Sequence, residues 1–143
     1  MGQPKTQFTV ELPGGWEDET IYTYKGPDDS GVQHRITLVI DRATDADSVD
    51  EFARPRIDTV MSTLQGAEIL KEAPKELASG IPAYECVYKW IPAGSDARFV
   101  RNVYLLAGGA GYTFSGAFSK KTLKTIGVEM DRILESFAPQ DKE

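Results

Sequence analysis

Between Glu68 and Ser119 the chain turns back on itself three times among segments of strand character, and this run constrains the fold more than any other feature. Glu68–Glu76 reads as a strand that closes at the turn Ala78-Ser79-Gly80. Ala83–Ile91 sets Tyr84, Cys86, Tyr88 and Trp90 against Glu85 and Lys89, and Pro92-Ala93-Gly94-Ser95-Asp96 reverses it. Arg98–Ala107 and Tyr112–Ser119 follow, joined by Gly108-Gly109-Ala110-Gly111. Side chains of a strand point alternately to the two faces of a sheet, and strands joined by short turns pair antiparallel. The run therefore predicts a four-stranded meander.

Upstream, Phe8–Leu12 alternates and stops at Pro13-Gly14-Gly15, which predicts a first strand. Ile21–Tyr24 predicts a second that ends at Lys25-Gly26-Pro27, and a polar loop from Asp28 to Gly31 follows. His34–Arg42 is the third, with Ile36, Leu38 and Ile40 on one side and Thr37, Val39 and Asp41 on the other. The period changes at Ser48, where Ser48-Val49-Asp50-Glu51 has the spacing of a capping box. Val49, Phe52, Ile57, Val60 and Leu64 then recur at helical spacing up to Gly66. Pro55 lacks the N–H a helix interior needs, which moves the expected start toward Arg54 or kinks the helix. A last amphipathic stripe, Leu123, Ile126, Met130, Ile133, Leu134 and Phe137, ends before Pro139.

The order is β-β-β-α-β-β-β-β-α. A doubly wound fold needs strict alternation of strand and helix, so the order specifies an α+β fold. Its architecture is an antiparallel β-sheet of six to seven strands with two amphipathic helices packed on it. The 143 residues match one domain, 1–143 with about 6–139 ordered, since domains cluster at about 100–150 residues.

A formal net charge of -6 argues against nucleic acid and anionic membrane surfaces as partners, because both require a basic face. Cys86 is the one cysteine, so no internal disulfide can form, which suits the cytoplasm. The start has no signal-like apolar stretch, and every apolar run falls short of the ~20 residues that span a bilayer, so direct membrane insertion is not expected.

No catalytic constellation is legible. His34 has no serine or cysteine nucleophile at a recognisable spacing and reads as a surface residue at a strand start. Cys86 lies on the aromatic side of its strand, where cysteine behaves as a small hydrophobe. Asp41, Asp45, Asp47, Asp50 and Glu51 lack the spacing of a calcium loop and read as helix capping and a solvated loop. The glycines at 108, 109 and 111 precede a strand, whereas phosphate cradles open a helix, so they read as a hairpin turn. The expectation is a binding protein that is not an enzyme and takes no metal and no cofactor.

Two helices cannot cover both faces of such a sheet, so part of one face stays open. If Tyr22 and Tyr24 face the helices, then Ile21, Thr23 and Lys25 face the other way, and by the same alternation so do Thr37 and Val39. Ile21, Thr23, Thr37 and Val39 are thus the candidate binding residues, on the face opposite the helices. Such a surface suits a helix or an extended peptide; a dimer contact or an ordinary half-apolar outer face fits the pattern equally.

Several segments in fixed order resemble a known family. They are Phe8-Thr-Val-Glu-Leu-Pro-Gly-Gly-Trp16-Glu-Asp18 before Ile21-Tyr-Thr-Tyr24, Leu38-Val-Ile-Asp-Arg42, Ser79-Gly80-Ile-Pro82-Ala83 ahead of Tyr88-Lys-Trp90, and Ile133-Leu134-Glu-Ser136-Phe137-Ala-Pro139. Together they resemble the DcrB-like family with a PsbP-like fold, and within it the EagR chaperones of type VI secretion effectors. The resemblance implies a cytoplasmic adaptor, commonly a homodimer. It would shelter apolar transmembrane segments at the N-terminus of PAAR-containing and Rhs effectors before loading on the secretion spike. In that pattern the client-binding side chains come from positions matching Ile21, Thr23 and Val39. Thr23 departs from the aliphatic residue expected there, although threonine is common where helices pack in membranes. Trp16 matches the family's tryptophan and is expected in the core. The resemblance also admits a DcrB-like cell-envelope protein whose signal sequence is absent from this chain.

Overall fold

The computed structural model describes residues 10–16, 19–29, 32–41, 44–91, 97–119 and 122–138. Six strands form one sheet: β1 (Glu19–Asp29), β2 (Val32–Asp41), β3 (Glu68–Glu76), β4 (Pro82–Trp90), β5 (Arg98–Ala107) and β6 (Ala110–Phe118). Helix α1 (Val49–Thr63) separates β2 from β3, and α2 (Leu123–Glu135) follows β6. The strand order is β1-β2-β6-β5-β4-β3, antiparallel throughout. This is the expected α+β architecture with six strands.

The meander β3 to β6 forms as its turns dictate; residues 92–96 of its central turn lie outside the described residues. The expected first strand differs. Val10, Glu11 and Leu12 are exposed and join no ladder, and residues 8 and 9 lie outside the described residues. β1 runs past Tyr24 to Asp29 through an irregularity between Lys25 and Asp28, so Asp28 and Asp29 belong to a strand rather than to the expected loop.

Each face of the sheet carries its own core, because β4 and β5 bury apolar side chains on both sides, Cys86, Tyr88 and Tyr104 on one and Ala83, Val103 and Leu105 on the other. On one face Cys86, Tyr88 and Tyr104 pack against Val49, Phe52, Ala53 and Ile57 of α1. On the other, Ile36, Leu38, Ala83, Val103, Leu105 and Phe114 pack against Met130 and Leu134 of α2. The helices therefore lie on opposite faces, not on the shared face that the sequence reading assumed. A sheet apolar on both sides must be covered on both, which one shared helical layer would not achieve.

Glycines let each helix approach the sheet. A Cβ on Gly111 would collide with the ring of Phe52, and one on Gly116 would stand 3.0 Å from Met130 Sδ. Gly111 is thus a β6 residue that makes room for α1 and not part of the hairpin turn expected from its neighbours.

Helix α1 begins at Val49 despite Pro55, five residues before the start near Arg54 that the proline suggested. Ser48 Oγ accepts from the Glu51 N–H at 3.2 Å, and Glu51 Oε1 accepts from the Asp47 N–H at 2.9 Å, one residue upstream of a standard capping box. Pro55 is exposed, so the carbonyl it leaves unpaired can be solvated, which moderates its cost. Among the described residues no helix is long and apolar enough to cross a membrane.

Candidate binding face

The faces are unevenly covered. Helix α1 lies over β4 and β5, and its Arg54 reaches Glu72 of β3 with an Nη2 to Oε1 distance of 2.5 Å. On that same face, β1, β2 and the part of β6 beyond Gly111, whose backbone meets Phe52 of α1, have no helix over them among the described residues. There the register sets Ile21 directly opposite Val39 and Thr23 directly opposite Thr37. Directly opposed residues of an antiparallel pair share a face with Cβ atoms about 4.5–5.5 Å apart. All four sequence-derived candidates are thereby brought together, Ile21 at 55% exposure, Thr23 exposed, Thr37 and Val39 half-buried. They lie beside α1 and opposite α2, which corrects their expected place opposite both helices.

β6 extends the face with residues the sequence reading missed. Val39 stands opposite Thr113, and Thr37 opposite Ser115. Two rows result, running from the β1 edge toward α1. One is Ile21, Val39 and Thr113, which reaches Tyr104 beneath the helix; the other is Thr23, Thr37 and Ser115, which reaches Asn102. Alternation within β6 places Thr113 and Ser115 opposite in phase to Tyr112 and Phe114. What it could not reveal is that β6 is the neighbour of β2.

The rows differ in chemistry. The first is mainly aliphatic, and the second is a track of hydroxyls ending at a buried amide. Asn102 Nδ2 donates to Tyr104 Oη at 3.2 Å, and burial raises the Tyr104 hydroxyl to a pKa of about 12. Among the described residues Asn102 Oδ1 has no hydrogen-bond partner. Beyond the hydroxyl row Lys25 stands opposite Arg35, both exposed, giving this end of the face a positive charge. At the other end Asp41 pairs with Arg56 of α1, Oδ2 to Nη2 2.8 Å, and the Arg56 guanidinium lies 3.9 Å from the centre of the Phe52 ring.

Other residues fall elsewhere. His34 is buried, not at the surface, with Nδ1 at 2.5 Å from Glu129 Oε1 of α2. It is in phase with Ile36 and Leu38, so the same alternation carries it under α2. Trp16 is 68% exposed rather than in the core, since it follows a tight turn in a segment with no strand partner. Tyr22 packs on the α2 core as expected, while Tyr24, stacked on it with ring centres 6.2 Å apart, is 48% exposed because it lies at the sheet edge. Cys86 is buried beneath α1, and burial pushes its thiol up to a pKa of about 11. Of the acidic residues, Asp41 and Glu51 serve the ion pair and cap already described.

The architecture matches solved structures of low sequence identity. A Pseudomonas aeruginosa protein of unknown function, PA94, superposes with a TM-score of 0.74 at 15% identity, covering 93% of this chain and 92% of that one. The cyanobacterial PsbP of Synechocystis, CyanoP, superposes with a TM-score of 0.57, also at 15% identity, covering 92% of this chain and 99% of that one. The fold is PsbP-like. No protein-family profile and no curated protein matches the chain. In this PsbP-like sheet the uncovered half-face is a built surface, since its rows continue the ladders that carry the α1 core.

Proposed function

We propose that this protein is a cytoplasmic adaptor chaperone of the EagR type. Its open half-face binds the apolar N-terminal helices of a PAAR-containing or Rhs effector and shields them until the effector is loaded on the type VI secretion spike. The observation that carries the reading is the direct pairing of Ile21 with Val39, a β-branched apolar pair left half open on a strand that α1 could have covered and does not. A transmembrane segment in water exposes apolar surface worth about 25 cal/mol per Å², so a face that covers it suppresses aggregation. Thr23, Thr37 and Ser115 add hydroxyls, which pack against helices and bond their polar side chains as neighbouring helices do in a bilayer. The work is recognition without a chemical step, carried out by a homodimer that needs no cofactor and no nucleic acid.

Co-expression with the N-terminal segment of an effector encoded beside this protein tests the proposal. Val39→Asp or Ile21→Asp sets an unpaired carboxylate against the apolar client and is expected to abolish co-purification while the circular dichroism spectrum is retained. Undiminished recovery of the client with both variants would rule the proposal out.

A further inference from the structure

The open half-face has two unlike ends. At one end Lys25 of β1 stands directly opposite Arg35 of β2, both are exposed, and neither has an ion-pair partner among the described residues. Like charges in direct opposition destabilise a sheet, so this end gains from an anionic group laid against it. At the other end β2 finishes at Asp41, and the chain passes from there to the start of α1. On the way the Thr44 N–H donates to the carbonyl of Gly109, in the β5–β6 turn, at 3.4 Å. Asp45 and Asp47 follow, both exposed and without a cation beside them among the described residues, whereas Asp41 is neutralised by Arg56. The half charge at the N-terminus of α1 is smaller than these two carboxylates and is already met by Asp50 and Glu51 in its first turn. Between the ends the rows of Ile21 with Val39 and Thr23 with Thr37 carry no charge.

We infer that the half-face holds a client helix in one direction only. The N-terminus of the helix, with a basic flank, lies at Asp45 and Asp47, and its C-terminus, with an acidic flank, lies at Lys25 and Arg35. A helix carries about half a positive charge at its N-terminus and half a negative charge at its C-terminus. This direction therefore sets opposite charges together at both ends, and the reverse direction sets like against like. This inference rests on the reading of the open half-face as the client site.

The dimensions of the face specify the client further. Three strands at a spacing of about 4.8 Å make it roughly 14 Å wide, and α1 bounds it on one side, so a helix of about 10–12 Å diameter lies along the strands. From Arg35 to Asp41 the strand β2 advances about 3.3 Å per residue, roughly 20 Å in all. That length matches about thirteen residues of helix at 1.5 Å each. The fitting partner is thus an apolar helix of about four turns or more, preceded by lysine or arginine and followed by aspartate or glutamate.

Three fluorescently labelled peptides test this by anisotropy titration, each with about thirteen alternating leucines and alanines. One has two lysines before this run and two aspartates after it, the second has the flanks exchanged, and the third has serines at both ends. The wild-type chain is expected to bind the lysine-first peptide roughly tenfold more tightly than the aspartate-first one, since four exposed charge pairs each contribute a fraction of a kcal/mol. The preference should shrink in about 1 M salt, where screening acts over about 3 Å. The combined variant Lys25→Glu, Arg35→Glu, Asp45→Lys and Asp47→Lys is expected to reverse it. All four positions are exposed, so the circular dichroism spectrum should be unchanged. Comparing each peptide between the two proteins cancels the peptides' unequal helix tendencies. Equal binding of all three peptides by the wild type, or a variant that keeps the wild-type preference, overturns the direction and leaves the client site standing. Binding of none of the three overturns the client site, and the direction with it.

Discussion

The ring of Phe52 lies against Gly111, so closely that a methyl group on that glycine would collide with three ring carbons. This contact sets the position of α1 over the β5–β6 end of the sheet, and with it the border between the covered and open halves of the face. Gly111→Ala is expected to lower stability by about 1–3 kcal/mol, the usual cost of overpacking a filled core. Phe52→Ala removes the obstacle but leaves a cavity, at a cost of about 3–5 kcal/mol. In the double variant the two costs should add to less than their sum, because the new methyl group enters the space the ring has left. Urea unfolding of the four proteins measures this, and strict additivity would show that the contact is not tight.

Glu85 is a buried carboxylate held by two cations. Arg101 Nε reaches its Oε2 at 2.5 Å and Lys71 Nζ its Oε1 at 3.1 Å, while Arg101 Nη1 also bonds Asp131 of α2 at 2.7 Å. Burial pushes the carboxyl up, but the Arg101 and Lys71 charges and hydrogen bonds outweigh it and hold the pKa below the ordinary glutamate range. A folded-state pKa below the unfolded one contributes stability that is complete above the unfolded value, about 4.3, and is lost as pH falls through the folded value. Glu85→Ala should therefore destabilise the protein by about 1–3 kcal/mol at neutral pH and by less in acid. Melting temperatures that run parallel for wild type and variant from neutrality into acid would contradict this.

Much of this fold can be read from alternation and caps, and the failures share one cause. Period two told which residues of a strand share a face, and so brought Ile21, Thr23, Thr37 and Val39 together correctly. It is silent on which strand lies beside which. The chain joins β2 to β6 across nearly seventy residues, and nothing local announces that pairing, so Thr113 and Ser115 were missed. The same silence hid the side taken by each helix. His34 shows the opposite error, for it is in phase with Ile36 and Leu38, yet its polarity outweighed its register.

Ser48 caps α1 through one hydrogen bond to the Glu51 N–H. Ser48→Ala is expected to cost about 1 kcal/mol, whereas Ser48→Asp keeps an acceptor at the positive end of the helix and should restore most of that loss. Thermal unfolding compares the three proteins. Equal losses for alanine and aspartate would mean that the cap bond contributes nothing.

The hydroxyl row gives the proposed client site its most specific consequence. Thr23 is exposed and Thr37 half-buried, and valine has nearly the shape of threonine, so Thr23→Val and Thr37→Val should each change stability by no more than about 0.5 kcal/mol. Against a wholly apolar helix each substitution replaces a hydroxyl that must lose water on binding with a methyl group that gains from doing so. Affinity for the effector segment should then rise by a few fold per site, roughly 0.5–1 kcal/mol. If the client instead presents a serine, threonine or asparagine to this row, the exchange removes a partner and affinity falls, because a buried polar group of the client is left unsatisfied. Calorimetric titration of the two variants with the effector segment reads the sign directly, and a fall in affinity would show that the hydroxyls recognise the client's polar groups.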